Sequence, residues 1–168
     1  MTEPQRKHPD RPDPKAITLE WWREVAGDRG ARAELRRAKT PTEVILTPAY
    51  HDLRCRLMTA GWHNDIALAV VAAVLAQVEI HDGSAPFASQ LAAPPKRGAD
   101  KARVSGQRFR RLLQRQTAEE LMGPLIRAIR LLSNAANVTD LAEGIHWWGD
   151  RKRREWAFAY YARNSSEQ

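Results

Sequence analysis

Ile66-Ala67-Leu68-Ala69-Val70-Val71-Ala72-Ala73-Val74-Leu75-Ala76 is an unbroken apolar run, rich in alanine and ended by Gln77 and Glu79. It is far shorter than the roughly 20 residues that cross a bilayer. Asn64-Asp65 in front of it reads as a helix start, and His81-Asp82-Gly83-Ser84 as its close. Alanine with leucine and valine favours a helix, and a helix apolar all round must be surrounded by other elements. The run predicts a buried core helix from Ile66 to about Ile80.

The neighbours that would cover it carry helical signals on both sides. Upstream, Thr18 reads as the cap of a helix through Glu20-Trp21-Trp22-Arg23-Glu24-Val25, stopped by Gly27 to Gly30. A short helix over Ala31 to Ala38 follows. Thr40-Pro41 and Thr47-Pro48 are two further starts, with proline where its missing N–H costs nothing. After Pro48, Tyr50, Leu53, Leu57 and Met58 recur at helical spacing. Downstream, Ser105 opens a helix carrying Phe109, Leu112 and Leu113, and Thr117-Ala118-Glu119-Glu120 resembles a capping box. A bend is expected at Gly123-Pro124. Val138-Thr139-Asp140 starts a helix to Trp148, Gly149 breaks it, and Asp150 caps a last helix through Tyr161. No alternation of period two has convincing length. The predicted fold class is all-α: a bundle of about eight to nine helices over 16–164, as one body or two small lobes.

Two segments fall outside this pattern. Residues 1–15 hold Pro4, Pro9, Pro12 and Pro14 with mixed charge and no apolar residue able to pack, which predicts a disordered arm. Near 93–105, Pro94-Pro95-Lys96-Arg97-Gly98, Lys101 and Arg103 predict a mobile basic loop.

Charge is concentrated in the C-terminal half. Residues 101–154 carry 12 Lys and Arg against 5 Asp and Glu, the whole +7 excess of the chain. Trp147-Trp148-Gly149-Asp150-Arg151-Lys152-Arg153-Arg154-Glu155-Trp156 brackets four consecutive cations with aromatic anchors. Because unpaired guanidinium groups are costly to bury, apolar packing of the tryptophans is expected to push residues 151–154 to solvent as one cationic edge. Arg36-Arg37, Arg108-Arg110-Arg111-Arg115 and Arg127-Arg130 repeat the motif on other helices. Converging, such faces make a groove that follows a phosphate backbone without reading bases. Diverging, they are solvated surface.

Other chemistries find little footing. One cysteine, Cys55, excludes an internal disulfide framework, and no charged-then-apolar leader opens the chain, which favours a cytoplasmic site without membrane association. His51 and Cys55 share a helical face, but a closed zinc site needs two more ligands; a surface histidine above a core cysteine is the simpler reading. His63, His81 and His146 are scattered and support no nucleophilic triad. Glu119-Glu120, Asp140 and Glu143 are better explained as acids of first helical turns. Gly27-Asp28-Arg29-Gly30 is a helix stop rather than a phosphate loop. No cofactor motif, metal set or enzyme is indicated. Most of the six tryptophans are expected in the core, with one left exposed for a partner.

Leu19-Glu20-Trp21-Trp22, Gly30-Ala31-Arg32-Ala33-Glu34-Leu35-Arg36-Arg37-Ala38, Arg108-Phe109-Arg110-Arg111-Leu112-Leu113, Leu125-Ile126-Arg127-Ala128-Ile129-Arg130-Leu131-Leu132 and Trp147-Trp148-Gly149-Asp150-Arg151-Lys152-Arg153-Arg154 occur in one series. In order and spacing this series resembles the CasB family, the small subunit of the type I-E CRISPR surveillance complex Cascade, from Leu19 to Tyr161. The resemblance implies an all-helical, non-catalytic subunit in antiviral defence. It would sit as a pair beside the backbone and large subunits and the guide RNA, and hold the target and displaced DNA strands of the R-loop. Carried over position by position, it implies phosphate contacts from Arg37, Arg108, Arg130 and Arg151, with Arg36, Arg111, Arg127 and Arg154 flanking them. Trp147 and Trp148 would pack the last two helices. Two alternatives remain from the residues themselves. A free-standing helical DNA-binding regulator lacks a compact helix-turn-helix. A structural adaptor would bind acidic protein surfaces through the same arginines.

Overall fold

Ten helices, most of them opened by a capping side chain, lie among the residues that this computed structural model describes, 10–95, 99 and 101–165. Helix α1 is Pro14–Ala26, α2 Arg29–Arg37, α3 Pro41–Ile45, α4 Pro48–Thr59 and α5 Asp65–Leu75. Then come α6 Phe87–Ala92, α7 Gly106–Leu113, α8 Ala118–Leu131, α9 Val138–His146 and α10 Asp150–Ser165. The side chains of Thr40, Thr47, Asn64, Ser105, Thr117 and Asn137 each accept a backbone N–H three residues on. Each satisfies a donor that the first turn of a helix leaves without a partner. Pro41 and Pro48 occupy first-turn positions, as the sequence predicts.

Helix α5 is the hub. All of its residues from Ala67 to Leu75 are buried, and α2, α3, α4, α8 and α9 pack around it. Helix α1 crosses α4 and α9, while α6 lies along α10. The buried side chains form one continuous cluster, from Trp21 in α1 to Tyr160 in α10. The chain is all-α in class, and the minimal strand content described next does not change that.

Several boundaries differ from those expected. Helix α5 ends at Leu75, short of Ile80; the chain then pairs β1 (Ile80–His81) in parallel with β2 (Ala135–Ala136). Glu79 N–H and Ile80 N–H both donate to the Asn134 carbonyl, at 2.8 and 3.2 Å, which fastens the ends of α5 and α8 to each other. Helix α1 begins at Pro14, capped by Asp13, and not at Thr18. Buried Thr18 instead turns its hydroxyl back to the Pro14 carbonyl at 2.7 Å. Helix α6 was not announced by the sequence; Asp140 Oδ2 accepts the Phe87 N–H at 2.7 Å where it begins. Helix α8 runs on through Gly123 and Pro124, where a bend was expected.

Of the expected arm, residues 1–9 lie outside the described residues, as do 96–98 and 100 of the expected basic loop. The shoulders of that loop are tied down. Arg103 N–H donates to the Ala93 carbonyl at 2.9 Å and Val104 N–H to Leu91 at 3.0 Å. The Tyr160 hydroxyl donates to the Val104 carbonyl at 2.7 Å. No helix among the described residues is long and apolar enough to cross a membrane.

Candidate nucleic-acid interface

Positive charge is abundant on this surface, and what separates one cation from another is whether it has an internal partner. Arg36 has one. Its Nε donates to the Ala76 carbonyl at 2.8 Å, satisfying the C-terminal end of α5, and its Nη2 lies 3.6 Å from Glu79. Arg32, one turn earlier, makes the same pair of contacts at 3.4 Å each. Burial, with Arg32 adding repulsion, lowers the Arg36 pKa, and Glu79 opposes that shift. Arg36 thus fastens α2 to α5. Arg37, next to it, is exposed.

The four consecutive cations likewise divide. Arg151 is 84% exposed, with Glu155 its i+4 ion-pair partner at 3.1 Å, and Arg154 is exposed. Lys152 turns inward, only 14% exposed, between Glu143 at 3.1 Å and Glu155 at 2.8 Å. Burial acts against both partners of the Lys152–Glu143 pair, yet their mutual attraction prevails: Lys152 is held above and Glu143 below its ordinary value. Arg153 pairs with Asp150 and reaches the Leu113 carbonyl at 3.5 Å, so it bolts α10 to α7. The expected edge from Arg151 to Arg154 is therefore corrected to two outward cations, because the other two hold the helix in place. The intervening Trp148 indole donates to the Arg115 carbonyl at 2.8 Å, a second tie between α7 and the start of α10.

The expected binding residues fall on two pairs of helices. On α7 and α10, Arg108, Arg111, Arg151 and Arg154 are all exposed, and Arg110 joins them. The second group lies on α2 and α8. Arg36 is linked through Glu79 to Asn134, shortly after α8 ends, and Arg37 on α2 and Arg127 and Arg130 on α8 are exposed. Arg37, Arg108, Arg110, Arg111, Arg127, Arg130 and Arg154 form no ion pair with a described residue. Some other cations are consumed: Arg56 is gripped by Glu24 and Asp52, which push its pKa up against burial, and Arg54 by Asp65, whereas Arg23 and Arg29 are exposed without an ion pair to a described residue. Arg110 was not among the expected site residues; its signal was the dense run from Arg108 to Arg111.

Trp147 departs from its expected role. It is 43% exposed, whereas Trp21, Trp22, Trp62 and Trp156 are buried and Trp148 is half-buried. Its ring meets His146 edge-on, with centroids 4.5 Å apart, and His146 in turn stacks on Trp62 at 4.6 Å. Asn64 N–H donates to His146 Nε2 at 3.4 Å. Burial, with His63 adding to it, lowers the His146 pKa to about 4.

For other chemistry the site is bare. No group of three His, Cys, Asp or Glu among the described residues is placed to hold a metal ion. Cys55 is exposed rather than in the core, and His51 Nε2 lies 2.7 Å from the Ile45 carbonyl. Asp140 and Glu143 are occupied by the Phe87 amide and by lysines.

The family described as CRISPR-associated protein Cse2 matches residues 31–161. No curated protein matches the chain. Among solved structures, a chain from the crystal structure of E. coli Cascade bound to a PAM-containing dsDNA target is similar, with a TM-score of 0.68 and 21% identity. The similarity covers 89% of this chain and 97% of that one. At that identity it is a likeness of fold.

Proposed function

The chain belongs to the CRISPR-associated Cse2 family, the CasB family of type I-E Cascade, and from that premise we propose that it is a non-catalytic subunit of an RNA-guided DNA surveillance complex. Its arginine faces hold the backbones of the target and displaced strands, whatever their sequence. One observation carries this reading: Arg37, Arg108, Arg111, Arg127 and Arg130 stand exposed with no ion-pair partner among the described residues, while Arg32, Arg36, Arg54, Arg56 and Arg153 are engaged internally. A phosphate backbone supplies the missing negative charge, and arginine's planar fork matches it.

The energetic role is modest and sufficient. Exchanging a DNA duplex for an RNA–DNA heteroduplex is nearly balanced, so a few backbone contacts tip it toward the open state. A subunit that only holds strands needs no acid, base or metal. In the assembly it works beside the backbone and large subunits, the guide RNA and a second copy of itself, in the cytoplasm.

The test is a reconstituted complex carrying Arg37→Glu and Arg151→Glu. It is expected to assemble normally and to open target DNA poorly, read by the reactivity of unpaired thymines. Normal opening by an assembled variant overturns the role. The Cse2 family match supports this reading over a free-standing regulator.

A further inference from the structure

We propose that Trp147 is a stacking platform for one base of a single-stranded nucleic acid, set beside Arg151 and Arg154 so that base and phosphate are held together. The proposal deepens the nucleic-acid reading above and rests on it.

Trp147 is the one tryptophan of this chain left 43% exposed by the fold, and its indole is not loose. It caps α9, its own N–H donating to the Glu143 carbonyl at 3.0 Å. Its ring is braced on His146, and His146 lies against Trp62 with the two planes only 10° apart. Because His146 Nε2 accepts from Asn64, the neutral imidazole carries its proton on Nδ1, which is buried without a partner. A ring fixed in advance loses little freedom when it takes a ligand.

Charge complementarity selects the occupant. Trp147 and Arg151 are four positions apart, at most about 14 Å of chain, and both Arg151 and Arg154 face solvent. Aromatic rings combined with cations that follow a backbone are the usual means of gripping single strands, and stacking tolerates any base. An apolar pocket on a protein partner would cover the indole equally well but would make no use of the two exposed cations that follow it in the chain.

The deciding experiment measures the affinity of the full chain at low salt for a labelled single-stranded oligonucleotide and for an abasic strand of equal length. It is run with the native chain, Trp147→Ala and Trp147→Tyr, each checked for an unchanged thermal transition. The native chain is expected to bind the normal strand about tenfold or more tightly than the abasic one. Trp147→Ala should erase that gap while keeping abasic binding and its salt dependence, and Trp147→Tyr should restore part of it. Equal native affinity for both strands overturns the stacking site and leaves the backbone reading standing. So does a Trp147→Ala loss equal on both strands, or a gap that survives the substitution, which would make Trp147 a structural or protein-contact residue. Binding to neither strand overturns the backbone reading and this site with it.

Discussion

Gly144 of α9 faces the indole of Trp156 on α10 so closely that a Cβ at position 144 would lie 2.6 Å from Trp156 Cζ2. Trp156 is buried, packed on Phe87 and Trp148 with centroids 5.3 and 5.1 Å away, and has nowhere to retreat. The contact sets how α10 leaves α9, and hence where Arg151 and Arg154 point. Gly144→Ala would gain about 1 kcal/mol of helix propensity, but overpacking a filled core costs about 1–3 kcal/mol. The expected outcome is a net loss of about 1 kcal/mol in urea unfolding, together with weakened DNA binding. Unchanged stability would show that α10 is free to shift.

Arg36 and Arg37 are adjacent and do different work. Arg36→Ala removes the hydrogen bond to the Ala76 carbonyl and the Glu79 pair, and should cost about 1–2 kcal/mol of stability. Arg37→Ala should stay within about 0.5 kcal/mol of the native stability while lowering affinity for DNA. Chemical denaturation and strand-binding titrations on the two variants separate the roles. The reverse pattern would exchange the assignments.

The same pair shows what a sequence can and cannot announce. Caps at Thr40, Thr47, Asn64, Ser105 and Thr117 were legible because a cap is a local event, settled within three residues. The end of α5 was not: Val78 continues the apolar pattern, and only the distant Asn134 carbonyl explains why the chain straightens there. A two-residue strand leaves no period to detect. The inward turn of Lys152 and Arg153 is fixed by Glu143 on α9 and the Leu113 carbonyl on α7, partners 9 and 40 residues away. Composition located the cationic surface, but tertiary packing decided which cations it keeps.

His146 makes the fold sensitive to acid. Its folded pKa, about 4, lies below the ordinary value near 6.5, so the folded state resists protonation. Its contribution is complete above pH 6.5 and is lost as pH falls from there toward 4. His81, lowered chiefly by burial and further by Arg23, acts in the same direction. By pH 5 the stability lost through His146 alone amounts to about 2 kcal/mol. Urea unfolding of the native chain at pH 7.5 and 5.0 should show a loss of that order, which His146→Gln should reduce. Glu143 and Asp150, both held below their ordinary values, matter only at lower pH. A native chain equally stable at both pH values would mean that His146 accepts a proton where it lies.

Arg108 on α7 and Arg130 on α8 belong to the two separate cationic groups, and both are exposed without an ion-pair partner among the described residues. If each meets a phosphate, its loss removes one counterion-releasing contact, whatever the base beside it. Arg108→Ala and Arg130→Ala should then each weaken binding to unrelated DNA sequences by the same factor. Each should also flatten the slope of log affinity against log salt by about one. Because the groups lie on different helices, the double variant should show the sum of the two losses. Salt titrations with two unrelated single strands and a matched duplex measure all of this. A loss confined to one sequence would mean that these arginines read base edges, and the chain would then be working as a sequence-selective binder, not as a holder of opened strands.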